Sequence, residues 1–321
     1  MITTTVGNYP KVAEGAYSTK LIGGISKWQR KELSDAQLEA VCQEITRAVI
    51  KEQEAAGLDL LTDGQIRWED LVTQLAKRLE GFEINGLTRW YNNNVYYRRP
   101  VLKRKPVWKR PILVEEYRFA AGCTRKPVKA VLPGPSTFAD LSEDRHFKSQ
   151  RPLVLALAEI LNQEARALAH AGAPLIQFDE PSLVLGKPNL KLAVEALNIA
   201  TRGVAAKTAV YTYFGPLDGA LSALSRARVD VIGVDVVSDP NALLALKRAK
   251  IKTALALGCL DGRNTKLESV KDLHAIFRMA SKLVPSDELY LNPNCGLEFL
   301  PHAQALAKIR RLGEAVRSYR G

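Results

Sequence analysis

Two adjacent carboxylates, Asp179 and Glu180, close a short apolar run and precede a proline in LIQFDEP, residues 175–181. A carboxylate at the exit of a buried strand sits where α/β folds place their chemistry. Other reactive or orienting side chains recur after similar runs. They are Gly7 and Asn8, Gln65 with Arg67, Ser136, Tyr211 and Tyr213, Asp235, Asp261 with Arg263 and Asn264, and Asn294 with Cys295. Carboxylates and phenols move protons, and a thiol attacks or binds metal. Amides and guanidinium groups orient polar substrates.

Each has a plainer reading. Asp179 is read as a site carboxylate, whereas Glu180 stays open between a site acid and a helix N-cap acid. Tyr211 and Tyr213 either touch a ligand or pack with a wet hydroxyl. Cys295 lies among amides with no base beside it and is not read as a nucleophile.

The elements that position these residues follow from the pattern. The β-branched opening, residues 2–6, predicts a strand ending in the turn GNYP. Helical spacing predicts a helix over 36–56, opened by Ser34-Asp35 and stopped by Gly57. A second strand is expected over 58–61 and a helix over 68–79. An aromatic, basic hairpin excursion is expected over 81–125. Alternation then resumes, with strands over 128–132, 175–179, 208–213, 229–235, 253–257 and 288–291. The intervening helices fall over 150–171, 190–202, 217–227, 242–248, 267–283 and 302–319. Eight strand–helix units with short connections predict an α/β fold, a (β/α)8 TIM barrel forming a single domain over 1–321, with the insertion following the second unit. The reactive positions then gather at one mouth of the barrel.

The chain has 321 residues, 46% hydrophobic and 25% charged, an ordinary globular composition. No apolar run approaches the roughly 18 residues of a membrane span, and the N-terminus has no basic and apolar leader, so a membrane partner is not expected. Four cysteines without a CxxC pair predict a reducing, cytoplasmic setting. G-x-G-x-x-G, a P-loop, HExxH and GxSxG are all absent. Between Arg98 and Lys129 there are eleven Lys or Arg and two Glu, which supply +9 of the net +12. Three readings stand: a solvated basic excursion, a clamp for a polyanionic small molecule, or, less favoured, a nucleic-acid surface.

Taken together, these segments resemble the cobalamin-independent methionine synthase family over essentially the whole chain. The matching segments are TTTVGNYPK (3–11), AGLDLLTDGQIRWED (56–70), LIQFDEPSL (175–183) and LNPNCGL (291–297). RWYNNNVYYRRP, YTYFG and GCLDGRN resemble the family's N-terminal half, and NPNCGLEF its catalytic half. The resemblance implies that Asp179 binds the amino group of homocysteine and that Asp235 and Cys295 stand at zinc-ligand positions. The His-x-Cys pair expected beside them is Tyr211 and Tyr213 here. A general-acid His corresponds to Arg263, and a binding acid to Gln65.

Tyrosine is a poor zinc ligand, and two protein ligands do not make a zinc site. A degenerate zinc site is therefore expected, with a folate-type methyl donor as substrate. Catalytic candidates are Asp179, Tyr211, Tyr213, Asp235 and Cys295. Binding candidates are Gly7, Asn8, Gln65, Arg67, Ser136, Glu180, Asp261, Arg263, Asn264 and Asn294. The leading expectation is methyl transfer to a small acceptor such as homocysteine. The alternatives are a folate-binding barrel serving a separate catalytic partner or methyl carrier, and metal-free carboxylate and tyrosine chemistry on another substrate.

Overall fold

The computed structural model describes residues 1–11, 16–91, 96–185, 188–217, 219–251 and 253–320. The chain enters as β1 (Ile2–Thr3), followed by helices α1 (Ala16–Gln29) and α2 (Asp35–Ala56). Ser34 and Gln37 cap α2 reciprocally, and Gly57 closes it in the left-handed conformation. A single turn, α3 (Thr73–Ala76), leads into an antiparallel hairpin, β2 (Glu80–Arg89) and β3 (Tyr96–Val107). Then come α4 (Val114–Gly122), β4 (Ala130–Pro133), α5 (Pro135–Asp140), the short β5 (Glu143–Asp144) and α6 (Gln150–His170). Strand and helix alternate from there: β6 (Leu175–Asp179), α7 (Leu190–Ala200), β7 (Lys207–Tyr211), α8 (Ala220–Leu224) and β8 (Val231–Asp235). The chain ends with α9 (Ala242–Ala249), β9 (Ala254–Leu260), α10 (Val270–Ala280), β10 (Leu289–Pro293) and α11 (His302–Ser318).

Seven of these strands pair in parallel in the order β1-β10-β9-β8-β7-β6-β4. Residues 58–62 supply the remaining stave through two parallel bridges, Thr4 to Leu60 and Leu61 to Val128. Those bridges close the ring, so the architecture is the expected (β/α)8 barrel. The stave is held by backbone bonds, from Leu60 N–H to the Thr3 carbonyl and from Leu61 N–H to the Pro127 carbonyl, and by side chains. The Gln53 amide of α2 accepts from the Thr62 N–H at 3.0 Å and donates to the Thr62 carbonyl at 2.9 Å. The Thr5 and Thr62 hydroxyls meet at 3.0 Å.

The two-residue period of a strand sorts the side chains. On β6, Leu175 faces the small inner cluster with Val6, Ala209, Tyr211, Val231 and Tyr290. Gln177 and Asp179 continue that inward row. Ile176 and Phe178 point outward into the larger core between sheet and helices. A polar residue on the inward row therefore lies inside the barrel, and the last of the row lies at its mouth.

Four expectations are corrected. The helix expected over 68–79 is only α3, because the Asp70 carboxylate accepts the N–H groups of Val72 and Thr73 at 2.8 Å each and favours a turn over a longer helix. The outer helix of the second unit is instead α4, within the stretch expected to be all hairpin, and it packs on α2 and α6. The hairpin thus lies inside the second unit rather than after it. Helix α1 was not expected. Its Gly23-Gly24 pair weakens the helical signal, and Ile22 and Trp28 face outward while Leu21 is buried. Helix α5 was not expected either, because Pro-Gly-Pro reads as a turn, yet Pro135 occupies its first position, where proline is tolerated.

Candidate functional site

The mouth of the barrel centres on Asp179, 3% exposed at the end of β6. Its Oδ1 accepts from Gln177 Nε2 at 2.6 Å, and its Oδ2 accepts from the Tyr213 hydroxyl at 3.2 Å. Burial pushes the Asp179 carboxyl up to about 7. Those two hydrogen bonds and the Lys129 charge pull the other way. Beneath it, the buried Lys129 Nζ donates to Gln177 Oε1 at 2.6 Å and lies 4.9 Å from the centre of the Tyr211 ring. Burial lowers this lysine to about 7. The Tyr211 hydroxyl is buried without a hydrogen-bond partner. Burial raises both tyrosines well above their usual range, so each is a phenol and not a phenolate.

A half-open pocket lies above this floor. Its walls include Asn8 and Gln65 from the first two loops, Trp90 from the hairpin, and Glu298 and Phe299 from the last loop. Asn8 Oδ1, Gln65 Nε2 and Glu298 Oε2 are buried and meet no partner. An unmet buried polar atom costs about 1–3 kcal/mol unless water or a ligand satisfies it. Burial raises the Glu298 carboxyl, while the Lys11 charge opposes the rise. Burial likewise lowers Lys11, which donates to the Trp68 carbonyl. Gly296 is needed for this arrangement, since a Cβ there would lie 2.0 Å from Glu298 Oε2. Gly7 sits against Gln65, whose Oε1 a Cβ would approach to 3.1 Å.

Other candidates from the sequence are held elsewhere. Glu180 does not line this cavity. Its oxygens accept the N–H groups of Ser136 at 2.9 Å and Thr137 at 2.7 Å, which caps α5, and burial raises it to about 7. Gly134 makes that approach possible, because a Cβ would meet the glutamate at 2.1 Å. Ser136 lines a separate pocket with Tyr91, Asp140 and Asn189. Arg67 turns outward to Glu39 at 2.6 Å and Thr46 at 3.2 Å. Asp235 accepts from the N–H groups of Val237, Ser238 and Phe214 and from Asn294 Nδ2 at 3.1 Å. Asn294 Oδ1 in turn accepts the Gly262 N–H at 2.8 Å. Asp261 caps its own loop at Arg263 N, and Asn264 does the same at Lys266 N. Arg263 is exposed, its guanidinium 5.0 Å from the Phe214 ring centre. Part of the RWYNNNVYYRRP segment, residues 92–95, lies outside the described residues.

These side chains do not fit zinc. The fifth stave offers two phenols and Asp235 already accepts four hydrogen bonds, which leaves the Cys295 thiol without the further ligands that zinc needs. No group of three or more His, Cys, Asp or Glu suited to a metal ion occurs among the described residues.

The family described as "Cobalamin-independent synthase, Catalytic domain" matches residues 1–318. The chain belongs to this family. Membership makes it a methyltransferase of the cobalamin-independent methionine synthase type. A methionine synthase of Saccharolobus solfataricus is 30% identical over 320 residues, which cover 99% of this chain and 94% of that protein. One from Sulfurisphaera tokodaii is 28% identical over 316 residues, covering 96% and 89%. Among solved structures, a B12-independent methionine synthase from Shewanella sp. W3-18-1, in complex with selenomethionine, superposes with a TM-score of 0.83. It is 24% identical and covers 98% of this chain and 97% of its own, a likeness of fold. A putative enzyme of the same kind from Listeria monocytogenes gives 0.77 at 16% identity, covering 100% and 99%. No helix among the described residues is long and apolar enough to cross a membrane.

Reading the sequence missed Glu298, Trp90, Gln177 and Lys129. Glu298 stands three residues after Cys295, and Lys129 interrupts an otherwise apolar strand. A lone charge in a buried strand is the available signal, masked here by the ten other cations of the basic stretch.

Proposed function

We propose that the protein transfers a methyl group from a folate-type donor to the thiol of homocysteine, using side chains of the cavity without a zinc site. The observation that carries this reading is the pairing of opposite demands in one cavity. A buried carboxylate, Asp179, calls for a cation, and an unmet amide donor, Gln65 Nε2, calls for an anion. An amino acid brings both, its ammonium for Asp179 and its carboxylate for Gln65. The apolar wall of Val6 and Phe299 suits the short chain between amine and sulfur, and Trp90 lines the same pocket.

The attacking species is the thiolate. A thiol near 8.5 loses its proton to an ordinary carboxylate near 4.3 at a cost of about 6 kcal/mol, and each unit by which burial raises the acceptor removes about 1.4 kcal/mol of that. Glu298, raised by burial and with one oxygen unmet, is the base in this scheme. The sulfur forms its bond to the methyl carbon as the carbon–nitrogen bond of the donor breaks. Glu298 then returns its proton to the leaving nitrogen. Asp179 anchors the amine throughout.

The test is methionine formation from homocysteine and methyltetrahydrofolate, with metal analysis of the active protein and with E298Q alongside. Turnover by protein free of stoichiometric zinc, lost in E298Q, supports the scheme. Stoichiometric zinc needed for turnover contradicts it. Tight donor binding with no turnover for any thiol favours a binding barrel instead.

A further inference from the structure

Beneath the cavity runs a chain of buried polar groups that the proposed chemistry does not use. Lys129 lies just before β4, inside the barrel and 2% exposed. Its ammonium reaches Gln177 Oε1 at 2.6 Å. Gln177 Nε2 has two acceptors, the Val6 carbonyl at 2.8 Å and Asp179 Oδ1 at 2.6 Å. These partners fix the amide's orientation. Turned over, its NH2 would face an ammonium, and its oxygen would face a carbonyl and a carboxylate. The amide is therefore a polarised link, with a cation on its oxygen and an anion on its nitrogen. Burying a lone lysine in a barrel is costly, so the cation is tolerated where a buried carboxylate stands one amide away.

We infer that Lys129 is a positioning residue that, through Gln177, orients the Asp179 carboxylate and keeps it ionised for the acceptor's ammonium. The inference rests on the reading of Asp179 as amine anchor. The other groups acting on Asp179 are the Tyr213 hydroxyl beyond β7, which donates to it, and Glu180, whose like charge opposes ionisation. Tyr211 of β7 and Glu298 from the loop after β10 face it as well. Of the groups named here, Lys129 supplies the positive charge, and it does so below about 7, where the carboxylate would otherwise take up a proton. It also closes the inside of the barrel against the Tyr211 ring, a cation over a π face.

The experiment follows the Asp179 side-chain carboxyl by carbon NMR against pH in the ligand-free protein, for wild type, K129M, K129Q and Q177M. L-methionine affinity is measured over the same pH range. K129M replaces the cation with an apolar chain of similar length. Q177M removes the amide that bonds Asp179 directly, whereas K129Q keeps a hydrogen-bond donor toward Gln177 and removes only the charge, so K129Q stands in should K129M fail to fold. The expected result is a rise of about one pH unit in the carboxyl midpoint in each variant. The acid limb of methionine binding moves up with it, and affinity recovers at high pH. A midpoint unmoved in the folded variants overturns the inference. A midpoint that moves while the pH dependence of methionine binding does not overturns the acceptor-binding part and the anchor reading with it, leaving the Lys129–Asp179 coupling in place.

Discussion

On one side of the barrel mouth, Asn8, Gln65, Asp179 and Glu298 surround a cavity, and three of them hold buried atoms without partners. On the other side, Asp235 accepts three backbone N–H groups and the Asn294 amide, and Asn294 ties down Gly262. Both sides are equally polar in sequence and equally buried. The difference is in the bookkeeping of hydrogen bonds. Where donors and acceptors cancel, a carboxylate is part of the scaffold; where they do not, the fold carries an unfavourable local energy that a ligand can relieve. Of the positions that the family resemblance marks for zinc, Asp235 is satisfied, whereas the Tyr211 hydroxyl is unmet and Tyr213 lines the cavity beside Asp179, the side we propose takes an amino acid.

The comparison breaks most visibly at Asp179. D179N removes the anchoring charge from the unsatisfied side and is expected to lower kcat/KM for homocysteine about 100-fold with the thermal midpoint nearly unchanged. D235N puts an NH2 group among donors on the satisfied side. It is expected to cost about 2 kcal/mol of stability, a fall of roughly 5 °C in Tm, by calorimetry. If D235N lowers kcat/KM as much as D179N while leaving Tm alone, the division of the mouth is wrong.

Y213F sharpens the contrast within the site. It removes one hydrogen bond to the Asp179 carboxylate, for about a tenfold loss of kcat/KM. The acid limb of the wild-type pH–rate profile is expected near 7, since both Asp179 and Glu298 must be ionised, and activity is lost as pH falls through that value. In Y213F the limb moves higher. An acid limb near 4 in the wild type contradicts the burial of Asp179.

Glu180 separates a scaffold acid from a site acid that is its neighbour in sequence. Its pKa in the fold is raised to about 7 from the ordinary 4.5. The folded protein therefore holds a proton that the unfolded chain releases between those values, and stability is lost as pH rises through the window. Wild type is expected to gain stability relative to E180Q as pH falls from about 7 to 4.5, by about 1 kcal/mol or more in thermal melts. The opposite slope sinks the assignment. The smallest effect is expected on the hairpin. Lys103 pairs with Glu83 at 3.2 Å, and Lys103, Arg104 and Lys105 are all exposed. K103Q/R104Q/K105Q is expected to change kcat/KM by less than about twofold with monoglutamyl donor. A steep, salt-sensitive loss with polyglutamyl donor would mark this surface as an anion clamp.

How much of this could be read from the sequence depended on how local the cause was. The barrel was legible because its strands are short apolar runs with periodic helices between them, and Ser34 and Gly57 mark their helix ends directly. Asp179 was legible because a carboxylate ending such a run has few places to go. The helix over 68–79 was not, because one Asp70 side chain redirects the backbone there. The roles of Asp235 and Glu180 were not legible either, because satisfaction depends on N–H groups of loops distant in sequence. Lys129 was hidden by its own neighbourhood in the chain, since ten other cations between Arg98 and Lys126 drew it into a surface reading.

The most direct test is a crystal structure of the protein with L-homocysteine. The account predicts the ammonium on Asp179, the carboxylate at Gln65 Nε2 and the sulfur on the Glu298 side of the cavity. Homocysteine seated instead between Asp235 and Cys295, with Asp179 and Gln65 untouched, would contradict it.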